Sequence, residues 1–118
     1  MSKRPPGWRS PIQDADTLRK IMRLLARETP REIVKVLARQ PTDVSTLAEN
    51  LGRPLATVRA NLDRLAKVHL VEVSKVKPKH VYRLSDQVTV RDRAATLRVS
   101  VRTPRGSAIS VQFSQPPG

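Results

Sequence analysis

Helices first and strands last: an α+β chain is predicted by three features of the sequence. Between residues 14 and 68 the apolar residues recur at intervals of three and four, the period of amphipathic helices. From residue 71 the spacing drops to two, the period of half-buried strands, with Val71 and Val73, Val88 and Val90, Leu97, Val99 and Val101, then Ile109, Val111 and Phe113. Turn-formers stand between these stretches, among them Gly52, Pro54 and the run TPRG at 103–106.

Residues 1–13, MSKRPPGWRSPIQ, read as a basic tail, because Pro5, Pro6, Gly7 and Pro11 break regular structure. Such an arm is either solvated or laid along a groove, and Trp8 can anchor it to the domain or to a second subunit. A first helix is expected from Asp14 to Glu28, capped by Asp14 or Asp16, with Leu18, Ile21, Met22 and Leu25 on one stripe. Leu24 lies off the stripe and broadens the apolar face. For the second helix the expected cap is Thr29, with Pro30 in the first helical position and Glu32 completing a capping box. Ile33, Val34 and Leu37 face inward, and Pro41 ends the segment.

The third helix is expected to run from a cap at Asp43 to Leu51, carrying Val44, Leu47, Ala48 and Leu51 on its inner face. Gly52 then supplies a left-handed stop. The fourth, over residues 54–68, places Leu55, Val58, Leu62 and Leu65 on a core stripe, while Arg53, Thr57, Arg59, Asn61, Arg64 and Lys67 occupy the remaining surface. Asp63 is the only acid among them. Two short helices joined by a tight Gly turn, the second basic, make a helix-turn-helix. His69 follows at a turn position, where His tolerates a left-handed backbone.

Residues 71–84 predict a hairpin, with VEVSKV and VYRL around the turn KPKH and with Lys75, Lys77 and Lys79 at or near the tip. Exposed lysines there either touch phosphates or keep a solvated edge from aggregating. Residues 86–114 predict a second hairpin around TPRG, with a short strand before it. A two-stranded ribbon needs a surface to cover. It can extend the first hairpin, pack on the first helix, or pair with its counterpart in a dimer.

Residues 29–84 resemble the winged-helix domain of the ArsR family of repressors. TPREIVKVLARQ is similar to the family's opening helix, LAENLGRPLATVRANLDRLAKVHLVE to its helix-turn-helix, and HVYRL to the strand that closes the wing. Winged helices of the MarR type share these periodicities. The resemblance implies a helix-turn-helix of three to four helices with a β-hairpin wing, a first helix that takes part in dimerisation, and a dimeric DNA-binding regulator. Its usual last helix is replaced here by the strands of 86–114, and the family's cysteine metal-sensing motif is missing. The chain then divides into a tail at 1–13, a winged-helix DNA-binding domain at 14–85, a β-strand extension at 86–114 and a tail at 115–118.

On the recognition helix, Pro54 gives no hydroxyl to the first turn. The base-edge candidates are therefore Thr57, Ala60, Asn61 and Arg64, with Arg53 and Arg59 nearer the phosphates and Lys75, Lys77 and Lys79 on the wing. Arg can bond guanine bidentately, Asn can do so with adenine, and Ala or the Thr methyl can touch the thymine methyl. Ser45 and Thr46 can add phosphate contacts from the third helix.

Composition agrees. The 118 residues make one domain's worth of chain, and a formal net charge of +13 suggests a polyanionic partner. Aromatics are only 3%, so the core rests on Leu, Val, Ile and Ala. No apolar run approaches the roughly 20 residues of a membrane span, and no signal-peptide core follows Met1. With no cysteine and with His69 and His80 as the only histidines, no metal site or thiol nucleophile can be assembled. Phosphate-binding Gly loops and paired carboxylates are missing too, so neither catalysis nor a cofactor is expected. The expectation is a cytoplasmic homodimer bound to double-stranded DNA. A winged-helix protein-interaction module and a structured-RNA binder remain as alternatives.

Overall fold

Ile21, Leu25, Ile33, Leu47, Leu62, Leu65 and Leu70 are almost fully shielded from solvent, and they belong to one cluster fed by every helix. Each such side chain contributes about 1.5–3 kcal/mol by leaving water. The computed structural model describes residues 15–74, 79–93, 95–102 and 108–114. Its elements in chain order are α1 (Ala15–Leu25), α2 (Glu28–Arg39), β1 (Thr42–Asp43), α3 (Val44–Leu51), α4 (Leu55–Lys67), β2 (Val71–Ser74), β3 (Val81–Leu84), β4 (Val88–Arg93), β5 (Thr96–Arg102) and β6 (Ala108–Ser114). The strands form two antiparallel three-stranded sheets, ordered β1-β3-β2 and β4-β5-β6. This is the α+β winged helix-turn-helix expected from the sequence, with an additional sheet at its C-terminal end.

Two helix ends are closed as expected, by the same device. Gly52 has φ 61°, its N–H donates to the Glu49 carbonyl at 3.2 Å, and the Arg53 N–H donates to Ala48 at 3.1 Å. His69 has φ 63°, with its N–H on Ala66 at 3.0 Å and the Leu70 N–H on Leu65 at 3.1 Å. Both are left-handed caps that satisfy the last carbonyls of a helix and turn the chain sharply. The first sets the angle between α3 and α4; the second sends the chain from α4 into the wing.

The start of α2 differs from expectation. Its N-cap is Arg27, with no side-chain cap bond, so Thr29 and Pro30 lie inside the first turn and no Thr29–Glu32 capping box forms. The cause is the tight join to α1, which ends at Leu25 rather than Glu28. Ala26 N–H bonds Met22 and Arg27 N–H bonds Leu24, both at 3.0 Å, so the chain re-enters a helix at once. Pro30 is tolerated there because first-turn N–H groups have no intrahelical acceptor. The Glu32 carboxylate instead pairs with Lys35 at 3.5 Å. Met22, expected on the buried stripe, is 48% exposed, and Asp14 lies outside the described residues.

The C-terminal hairpin and the strand before it form as expected, but they cover a different surface. What reads as a hairpin with a short leading strand is a meander, in which β4 pairs with β5 over six residues, from Val88↔Val101 to Arg93↔Thr96. It neither extends the wing nor covers α1. Its inner face packs against α2, with Lys35 of that helix 3.8 Å from Asp92, and Val88, Leu97, Val99 and Val101 join the helical core. The turn TPRG lies outside the described residues, as do the residues of both tails.

The two caps respond oppositely to substitution. A Cβ at residue 52 would meet nothing within 4 Å, so Gly52→Ala carries the left-handed backbone penalty alone. It should lower stability by about 1 kcal/mol. His69→Gly removes that penalty and should raise stability by up to about 1 kcal/mol. Urea unfolding of both variants, at unchanged m-value, measures the two shifts.

Candidate nucleic-acid interface

Helix α4 is held by Val58, Leu62 and Leu65, all fully buried. That leaves Ala56, Thr57, Arg59, Ala60, Asp63, Arg64 and Lys67 exposed on the opposite side. Four of the expected contact residues, Thr57, Arg59, Ala60 and Arg64, are thus brought onto one open face. Asn61 is not among them. It is 7% exposed, and its Nδ2 donates to the Thr57 carbonyl one turn back at 2.8 Å. One turn on from Thr57 but nearer the core stripe, its amide satisfies the helix rather than a base edge, which corrects its assignment to the reading face.

Leu55 errs in the other direction. Expected on the core stripe, it is 45% exposed, because at the first residue of α4 it extends past its supporting neighbours. Pro54 stands at the N-cap with φ −59° and ψ 142°, and no side chain caps the turn. The first-turn N–H groups of α4 are therefore presented beside Leu55, Ala56 and Thr57.

The flanking cations have partners. Arg53, half-buried, reaches Glu28 in the first turn of α2 at 3.4 Å, which braces the turn between α3 and α4. Lys79 reaches the Asp43 carboxylate at 3.2 Å while most of its own side chain stays exposed. Lys75 and Lys77 lie outside the described residues.

Asp43 accepts from the Thr46 N–H at 2.7 Å, capping α3 as expected. It is also the second residue of β1, opposite Val81 of the wing. Hydrogen bonds from Thr46, and after them the Lys79 ammonium, hold its carboxyl down at about 2. The consequence is a hollow of 270 Å³ between the wing, the start of α3 and α4, lined by Ser45, Arg59, Lys79, His80 and Tyr82 together with Asp43 and Val44. Tyr82 and His80 line it without a contact role expected from the sequence, because the pairing of β3 with β1, opposite Thr42 for Tyr82, is not visible in residue spacing.

An exposed helix face beside a hollow flanked by a wing is the arrangement of a winged helix-turn-helix. Residues 33–87 match the family described as sugar-specific transcriptional regulator TrmB. Among solved structures, the chain is similar to the solution NMR structure of a homodimeric winged helix-turn-helix DNA-binding domain, fragment 1–100, from Mycobacterium bovis, described as a possible ArsR-family transcriptional regulator. The TM-score is 0.56 at 29% identity, over 58% of this chain and 64% of that one. A crystal structure of fragment 1–100 of a possible transcriptional regulatory protein from Mycobacterium bovis matches with TM-score 0.55 at 29% identity, over 58% of this chain and 74% of that one. The chain thus spans less than two thirds of the first neighbour's length. No curated protein sequence matches it.

Because the Asp43 carboxyl titrates below its ordinary 3.8 in the folded chain, its contribution to stability is complete above about pH 4. It is lost as pH falls through about 2. Asp43→Asn keeps a capping side chain without the charge. The stability gap between wild type and Asp43→Asn should be constant above pH 4 and should close between pH 4 and pH 2, as read by thermal melts across that range.

Proposed function

We propose that the chain is a transcriptional regulator that binds duplex DNA, with α4 in the major groove and the wing beside it. The observation that carries this reading is the open face of α4, where Thr57, Ala60 and Arg64 are free of the core and Arg59 borders the hollow under the wing. In this reading Arg64 bonds a guanine edge, Thr57 and Ala60 meet thymine methyls, and Arg59 and Lys79 hold phosphates. Lys75 and Lys77, expected near the wing tip from the sequence, are assigned the same role. Arg53 serves the phosphates from the helix turn while braced by Glu28.

The reading is a non-catalytic, cytoplasmic one, close in architecture to ArsR-type regulators. Without cysteine the chain has no thiolate for metal sensing in that manner. The protein-interaction alternative is weakened by α4 itself, where Leu55 is the one large apolar residue exposed.

We also infer a homodimer, since one such module reads few base pairs and two half-sites are needed for useful discrimination. The Mycobacterium bovis neighbour is described as homodimeric. The surface available here is α1, where Met22 is exposed and Leu18 partly so. The C-terminal strands offer less than expected, because Leu97 and Val99 are committed to the chain's own core and Ile109 is the apolar residue left exposed.

Binding to random duplex should weaken steeply with salt. Four neutralised phosphates per subunit give a slope of log K against log salt near about −4. A flat response over a fourfold salt range would remove the nucleic-acid reading. Arg64→Ala should cost about 1–3 kcal/mol on a selected site and little on random sequence. Sedimentation of the full chain should show a dimer at micromolar concentration and a monomer for Met22→Glu. A wild-type monomer would overturn the assembly.

A further inference from the structure

The C-terminal sheet lies almost wholly beyond the region that matches a regulator family, and its outward face has a composition of its own. Strand pairing sets Leu97, Val99 and Val101 inward, so Arg98 and Arg102 of β5 face out, together with Arg91 and Arg93 of β4. The other outward positions of the three strands are Ser, Thr, Ala and Gln, and none is acidic.

Two details argue against a merely solvated face. Arg91 and Arg98 are direct cross-strand partners, an arrangement of like charges that destabilises a sheet unless an anion lies across it. Arg98 is also held in place without being neutralised. With the Gln112 carboxamide turned so that its oxygen faces Arg98, that oxygen accepts from Nε at 3.0 Å and from Nη2 at 2.5 Å. A neutral acceptor orients the guanidinium and leaves its charge for something else. Arg91, Arg93, Thr96, Arg98 and Gln112 enclose an open hollow of 220 Å³. Arg91 and Arg93 stand about 7 Å apart along their strand, comparable with successive phosphates on one DNA strand.

We propose that this sheet face is a second phosphate-binding surface, which takes the backbone of duplex DNA outside the footprint of α4. The inference rests on the DNA-binding reading above. Charge complementarity selects a polyanion, and the flat row of small hydroxyl side chains, with Ser100 and Ser110 bonded at 2.8 Å, suits a backbone that must lie close. A membrane is disfavoured because no large apolar side chain points outward to enter an acyl layer. An acidic protein is disfavoured because the face offers no aromatic or aliphatic anchor.

The test uses the full chain and a random 30-base-pair duplex, with anisotropy measured from 50 to 200 mM salt. Arg91→Gln/Arg98→Gln should flatten the salt slope by about 1.8, so that wild-type affinity falls about twelvefold more than the variant's over that range. Preference for a selected site over random sequence should not change. The variant's melting temperature should stay level or rise, since an opposed like-charge pair is removed. If it melts lower, Arg93→Gln, at the end of β4, carries the test with a slope change of about 1. A wild type that binds duplex with the same slope as the variants overturns this inference alone. A wild type that binds no duplex overturns the DNA reading as well. Loss by the variant on double-stranded RNA or phosphatidylserine vesicles, with duplex DNA binding intact, reassigns the surface to that ligand and overturns the proposal.

Discussion

The position of the wing relative to the helix-turn-helix depends on one carboxylate. Asp43 caps α3 through Thr46, belongs to the strand that pairs with the wing, and holds the Lys79 ammonium at 3.2 Å. A cap alone would fix a helix start, and a bridge alone would tie two strands. Placed on one residue, the three interactions make the orientation of α3 and the base of the wing a single variable. The hollow bordered by Arg59, His80 and Tyr82 is the space this coupling leaves open. A wing without that tie would still fold as a hairpin, but its cations would have no set distance from α4.

Legibility in the sequence followed the strength of the local signal. Gly52 and His69 were readable because a left-handed residue after a helical stripe has few substitutes, and both have positive φ. Asp43 was readable as a cap for the same local reason. Its bond to Lys79 was not, because a contact across the base of a wing depends on strand register that spacing does not reveal. The start of α2 is not legible, since T-P-R-E carries a valid capping pattern that the two-residue join from α1 overrides. Burial decided Asn61 and Leu55: the helix wheel turns Asn61 toward the core, and Leu55 lies past its supporting neighbours at the helix start. Residue type alone suggests a base reader and a core leucine, whereas burial reverses the two.

Helix α2 does the most connecting work. It meets α1, α3 and α4 on the helical side and the C-terminal sheet through β4, so its flanks are covered by elements from both ends of the chain. That is why the last strands belong to the same core as the helix-turn-helix rather than forming an appendage. Alternation showed that strands would form, but the surface they cover was open to several answers. Lys35, reaching both Glu32 and Asp92, marks where the two halves meet.

That shared core has a consequence for the order of events as the chain is made. The contacts of α2 with α1 and α3, and of α3 with α4, join segments close in sequence, whereas Leu97, Val99 and Val101 reach back to the helical core from the far end of the chain. Non-local contacts carry the larger loop-closure entropy and form late. A nascent chain therefore leaves the ribosome with α2 bare on one flank until β4 has emerged and been held by β5. During that interval the high positive charge of the chain, rather than its packing, discourages the exposed apolar strip from meeting another copy.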